Sequence, residues 1–199
     1  MAQVVEEAEV MLLRKDCPLE RWRREELAFE YRGSRVKQEG GIVLRAWLRL
    51  TPLAGEALAE ARRIAARNLA YRRTRHPLEF PNCGSVFKNL TSPEEVQQVL
   101  RHHPEWRSRV EGEWRGKVPA AALIEAVGMK GLRLGGAQIS EKHANFIINR
   151  GWATADDIVT LIRLVQRVVE EQYGLRLTPE VQLLGFPSPR RKGSPSHRP

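Results

Sequence analysis

The run IVLRAWLRL at residues 42–50, followed after Thr51-Pro52 by GEALAEARRIAARNLAYRR at residues 55–73, decides the fold class. In the first run Ile42, Leu44, Ala46, Leu48 and Leu50 alternate with Val43, Arg45, Trp47 and Arg49, a period of two that predicts a strand with the first set on one face. In the second, Leu58, Ala61, Ala65 and Leu69 recur at helical spacing. The chain therefore mixes strands and helices. No repeat or regular strand–helix alternation follows, so the expected class is an α+β layer fold.

The same reading extends outward in both directions. Upstream, Val4 to Arg14 alternates loosely through Ala8, Val10 and Leu12 and predicts a strand, while Glu20 to Phe29 predicts a short helix anchored by Trp22 and Leu27. Tyr31-Arg32-Gly33-Ser34-Arg35 reads as a polar turn. Downstream, two prolines keep 76–82 irregular. Ser92-Pro93-Glu94-Glu95 is a capped helix start, and that helix ends at His103-Pro104. Trp106 to Lys117 is polar and predicts a loop, and Pro119 to Val127 a short apolar helix stopped by Gly128. Thr154-Ala155-Asp156-Asp157 starts a helix whose stripe is Ile158, Leu161, Ile162, Val165, Val168 and Val169, ended by Gly174. Val181 to Leu184 predicts a closing strand.

Composition narrows the function classes. Hydrophobic residues make up 42% of the 199 residues, enough for a core and incompatible with global disorder. No apolar run approaches the roughly 20 residues of a membrane span, and MAQVVEEAEVMLLRKD lacks the pattern of a signal peptide. The expectation is a soluble cytoplasmic chain with no membrane insertion. Cys17 and Cys83 form neither a disulfide framework nor a metal motif. The net charge of +9 invites a nucleic-acid reading, but Arg190, Arg191, Lys192 and Arg198 place +4 of it in a Pro/Ser/Gly-rich tail at 187–199, read as disordered. In the body, basic residues interleave with glutamates, a balance that also suits an anionic small ligand such as a nucleotide sugar.

Four places carry chemistry-bearing residues. Asn82-Cys83-Gly84-Ser85-Val86-Phe87-Lys88-Asn89 gathers a hydroxyl, an ammonium and an amide around a glycine, which suits an anionic ligand or simply decorates a hairpin edge. Gly135-Gly136 offers a phosphate cradle without the G-x-x-x-x-G-K-S/T pattern, and His143 after Ser140-Glu141-Lys142 is an acid–base group or a structural histidine. Glu180 in Thr178-Pro179-Glu180-Val181 is an acid at the mouth of an apolar strand or a solvated glutamate. Arg32 clamps a carboxylate or covers a sheet edge.

In their order and separations, Y-R-x-S, G-S-V-F-K-N, GMKGLRLGGAQISEKHANFIIN, the capped helix and P-E-V-Q-L-L-G closely resemble the UDP-N-acetylenolpyruvoylglucosamine reductase family, from about Val4 to Gly185. The glycine-rich segments of that family's FAD-binding region have no counterpart here. The resemblance implies the end of an FAD-binding domain at 1–52 and a C-terminal substrate-binding domain at 53–186, the rest of the FAD-binding segment being a missing partner. It further implies an oxidoreductase of peptidoglycan synthesis in which NADPH reduces FAD and the flavin passes hydride to the enolpyruvyl double bond. By motif, Ser85 is the proton donor, and Arg32 and Glu180 stabilise the developing enolate and the carboxylate. Tyr31, His76, Lys88 and Asn89 then contact UDP-N-acetylenolpyruvoylglucosamine. His76 stands where the family usually has Gln, Val36 where it favours an aromatic and Leu90 where it favours Pro. A non-catalytic nucleotide-sugar-binding fragment is the alternative reading.

Overall fold

The computed structural model describes residues 2–30 and 32–186. Tyr31 and the basic tail at 187–199 lie outside the described residues. Two compact units, Met1–Ile64 and Ala65–Pro199, divide the chain.

In the first unit the strands β1 (Val5–Leu12), β2 (Leu19–Arg23) and β3 (Gly41–Leu48) form an antiparallel sheet in the order β2-β1-β3, with a short helix, α1 (Arg35–Glu39), before β3. Val5, Ala8, Val10 and Leu12 are buried with Trp22 and Leu27, and Val36 packs against them. The parity of β1 changes between Val5 and Ala8 because a register shift lies between Val5 and Glu7, and one extra residue moves every later side chain to the opposite face.

A second shift, at Leu44, corrects the face expected for 42–50. Val43, Ala46 and Leu48 lie opposite Val10, Ala8 and Val5, whereas Ile42 lies opposite Met11. Strict alternation fails where an extra residue is inserted. Even the inward set is poorly covered, with Val43 48% and Leu48 45% exposed.

Glu20 to Phe29 is not a helix. Trp22 is buried in β2 directly opposite Ala8, and cross-strand burial of an aromatic outweighs the modest helix propensity of the charged residues around it. The polar turn after it leads into α1, which ends at Gly40 in the left-handed conformation with φ 71°.

Gly55–Arg75 forms α2, within which the division between the units falls, and none of its residues is buried. In the second unit α3 (Pro93–His102) has its Ser92 cap, the hydroxyl accepting from the Glu95 N–H. The stretch expected to be a loop instead forms a 3-10 turn at Pro104–Trp106 and the helix α4 (Arg107–Glu111). Pro104 starts the turn as it starts helices, and Val110 with Trp106 and Trp114 finds the core.

The remaining elements are α5 (Ala120–Ala126), the strands β4 (Arg133–Leu134), β5 (Ala137–Ile139) and β6 (Ile147–Asn149), and α6 (Ala155–Tyr173). The antiparallel β4-β5-β6 sheet packs against α6, which buries Leu161, Ile162, Val165 and Val169 as its stripe predicts. A full capping box of Thr154 and Asp157 starts α6. No strand forms at Val181 to Leu184. Pairing comes earlier, at Pro179 opposite Phe87, after which Leu184 is 84% exposed and has nothing to pair with.

Candidate functional site

The site is built on one extended segment, residues 81–90, stitched to three others. Pro81 C=O accepts from the Asn149 N–H, and Asn82 bridges to Ile148 on β6. Val86 N–H donates to Asn145 C=O at 2.8 Å, and Val86 C=O accepts from the Glu180 N–H at 2.7 Å. Lys88 N–H donates to Thr178 C=O, and Leu90 exchanges both backbone bonds with Val118. The segment is thus extended and joined by isolated bridges to neighbours that arrive from distant parts of the chain, and the Glu180 backbone bond falls at Val86, next to Ser85. Backbone pairing places Ser85 and Lys88 alongside the stretch 178–180, with Asn89 next in sequence.

The turn before Ser85 is fixed by Asn82, whose Nδ2 donates to Pro77 C=O and Phe80 C=O and whose Oδ1 accepts from the Gly84 N–H at 3.0 Å. Gly84 has φ +84° and open space where a Cβ would stand, so glycine is required there by backbone conformation rather than by crowding. Asn89 turns its Oδ1 to the Ala120 N–H at the start of α5, leaving its NH2 as the group able to donate elsewhere. Lys88 and Asn89 line a cavity of about 160 Å³ with Thr91, Glu95, Arg176 and Thr178.

His76 and His143 meet edge-to-face at 5.6 Å between ring centroids, and both lie against Phe146. Burial lowers the pKa of both rings, helped at His76 by Arg72 and at His143 by His76 itself. His143 Nδ1 accepts from the Asn145 N–H at 3.2 Å, a bond that needs that nitrogen unprotonated. His76 Nδ1 is buried with no hydrogen-bond partner. Cys83 has its thiol pKa raised by burial, which makes it a poor nucleophile.

The glycine pair at 135–136 cradles a carboxylate, not a phosphate. A Cβ at Gly135 would lie 2.6 Å from Asp157 Oδ2, and one at Gly136 would run into the backbone of Ala153. Both glycines serve close packing of the β4–β5 turn on the N-terminus of α6, where Asp157 already occupies the electropositive end.

A cavity of about 580 Å³ lies between Phe80 and β5, where Arg133, Lys142 and Arg150 face Glu79 and Glu141 and much of the lining comes from the stretch 128–149. Lys142 pairs with Glu79 at 3.4 Å, and Arg150 stacks over Phe80. The residues are spread over four stretches of sequence, so only the fold assembles them.

Arg32 belongs to the first unit. It sits in the turn closed by the two backbone bonds between Glu30 and Gly33, with φ +61°, and its carbonyl accepts from Lys37 Nζ. The unit carries a cavity of about 670 Å³ lined by Gln3, Val4, Leu50, Thr51 and Leu53 with Glu6, Arg24 and Arg49. Another of about 400 Å³ is lined by Glu6, Glu7, Arg21, Arg23, Arg24, Glu25, Trp47 and Arg49, whose charges already pair as Arg21–Glu7, Arg24–Glu25 and Arg49–Glu6.

The matches with known proteins fall on this second unit and extend beyond it. The family model described as "UDP-N-acetylenolpyruvoylglucosamine reductase, C-terminal domain" matches residues 76–184. A UDP-N-acetylenolpyruvoylglucosamine reductase of Synechococcus sp. (strain CC9605) is 42% identical over 165 residues, which are 83% of this chain and 46% of that protein. The reductase of Prochlorococcus marinus (strain MIT 9313) is 39% identical over 93% of this chain and 51% of its own length. The crystal structure of UDP-N-acetylenolpyruvylglucosamine reductase (MurB) from Thermus caldophilus superposes with a TM-score of 0.61 at 31% identity, covering 91% of this chain and 53% of that one. The chain thus spans about half the length of the curated relatives it matches. With the C-terminal domain matched over residues 76–184, more than half of the chain, the chain belongs to the UDP-N-acetylenolpyruvoylglucosamine reductase family.

Proposed function

We propose that this chain is the substrate-binding half of a UDP-N-acetylenolpyruvoylglucosamine reductase, acting in peptidoglycan synthesis. The observation that carries the reading is the clamped segment 84–89, which holds Ser85, Lys88 and Asn89 against the stretch bearing Glu180. In this reading Lys88 and the NH2 of Asn89 meet the anionic part of the nucleotide sugar, where an ammonium and an amide are the fitting donors. Ser85 presents its hydroxyl to the reacting carbon, and Glu180 and Arg32 hold the charge that makes that carbon basic enough to take a proton from so weak an acid. Tyr31 and His76 complete the substrate contacts. The FAD and NADPH chemistry of the family rests, in this proposal, on the part of the FAD-binding domain that the resemblance leaves unmatched, the chain spanning about half the length of its relatives.

The test is calorimetric titration of UDP-N-acetylenolpyruvoylglucosamine into the purified chain. Saturable one-to-one binding, retained within a few-fold in Ser85→Ala and weakened at least about tenfold in Lys88→Ala, supports the reading, since loss of a charge-assisted bond is worth about 1.5–3 kcal/mol. A folded chain that takes up no substrate at millimolar concentration refutes it.

A further inference from the structure

We propose that Asn145 is a positioning residue that sets the path of the Ser85-bearing segment, an inference that rests on the functional reading above only for the ligand it would affect. Asn145 is buried, 3% exposed, and spends both side-chain polar atoms and its carbonyl on this task. Its Oδ1 accepts from the Phe87 N–H at 2.9 Å and its Nδ2 donates to the Phe87 C=O at 2.9 Å. Its own C=O accepts from the Val86 N–H at 2.8 Å, and its N–H donates to His143 Nδ1. The side-chain amide therefore imitates a peptide and adds one rung to the ladder between 86–88 and the chain entering β6.

Neither aspartate nor leucine in this position satisfies both sides of Phe87. Aspartate keeps the acceptor for the Phe87 N–H but sets a carboxylate oxygen against the Phe87 C=O. Leucine keeps approximate volume and leaves both peptide groups unsatisfied in a buried place, where each unmade bond costs about 1–3 kcal/mol. On the far side of Phe87 the ladder continues to Thr178 and Glu180. The amide of Asn145 thus governs where Ser85 stands relative to Glu180, acting through the backbone of Val86 and Phe87.

Hydrogen exchange on the whole chain, read residue by residue by NMR, tests this without depending on any variant. The Phe87 N–H must be protected in the wild-type chain, and a Phe87 amide exchanging at the rate of open solvent overturns the proposal at once. Asn145→Asp and Asn145→Leu should then raise exchange at Val86, Phe87 and Lys88 by at least about tenfold, with Leu161 and Val165 in α6 unchanged. If Asn145→Leu fails to fold, the aspartate variant and the wild-type protection carry the test. Unchanged exchange at 86–88 in a folded variant overturns the proposal.

A second readout separates positioning from general destabilisation. Binding of UDP-N-acetylenolpyruvoylglucosamine should weaken by about tenfold in Asn145→Asp while binding of UDP alone changes little. Equal loss for both ligands would mark a merely structural residue and count against the proposal. If the wild-type chain binds neither ligand while exchange at 86–88 still depends on Asn145, the functional reading fails and the positioning stands.

Discussion

Gly84 takes φ +84° with nothing near the place of a Cβ, so Gly84→Ala tests conformation alone. A left-handed alanine costs about 1–2 kcal/mol, and the account expects a fall in the thermal midpoint of a few degrees together with weakened substrate binding, because Ser85 is the next residue. An alanine variant with unchanged affinity would separate the turn from the site. Ser85, Lys88 and Asn89 were legible in sequence because the segment is continuous and its residue types are unusual together. Asn145 was visible only as part of a polar cluster, since its partner Phe87 stands 58 residues away and no local pattern encodes a bond of that span. The glycine pair at 135–136 misled in the other direction. A phosphate cradle and a close helix approach demand the same residue, and only the position of Asp157 decides between them.

At the scale of elements, signals carried by neighbours in sequence were readable and those carried by tertiary partners were not. The α6 stripe and its Thr154 cap were plain, and the structure adds the reciprocal bond from the Thr154 N–H to Asp157 Oδ2 at 2.9 Å. Thr154→Ala should therefore cost about 1 kcal/mol, seen as a lower midpoint in urea with an unchanged slope; no shift would mean that the box contributes nothing. The failures share one cause. β2 became a strand because Trp22 pairs across from Ala8, and α4 became a helix because Val110 reaches the core. The strand expected at 181–184 gave way because Phe87 is already paired at Pro179. The bulge at Leu44 likewise exists only relative to β1. Among the described residues β3 is an edge strand with half-exposed Ile42, Val43 and Leu44, a surface prone to strand addition. Leu44→Lys should lower concentration-dependent association measured by light scattering and leave the thermal midpoint within a degree or two; greater association would contradict the expectation.

For the molecule as a whole, the paired histidines set a pH dependence. Burial lowers the pKa of both His76 and His143 in the folded chain, whereas an unfolded histidine titrates near 6.5. Above about pH 6.5 the rings are neutral in both states and the stability is fully present. As pH falls below that value the unfolded chain binds protons first, so stability is lost progressively through the lowered folded values. Protonation at His143 Nδ1 would also remove the acceptor of the Asn145 N–H. The thermal midpoint should therefore drop between pH 7.5 and pH 5, and His143→Gln should flatten that slope; a midpoint that rises on acidification would contradict the assignment.

The central claim, that residues 84–89 and 178–180 form one substrate site, is tested most directly by titrating UDP-N-acetylenolpyruvoylglucosamine into isotopically labelled chain and following backbone amide shifts. The account predicts saturating shifts at Ser85, Val86, Lys88, Asn89 and Glu180. Binding with shifts confined to the cavity of Arg133, Lys142 and Arg150, or no shifts at all in a folded chain, would contradict it.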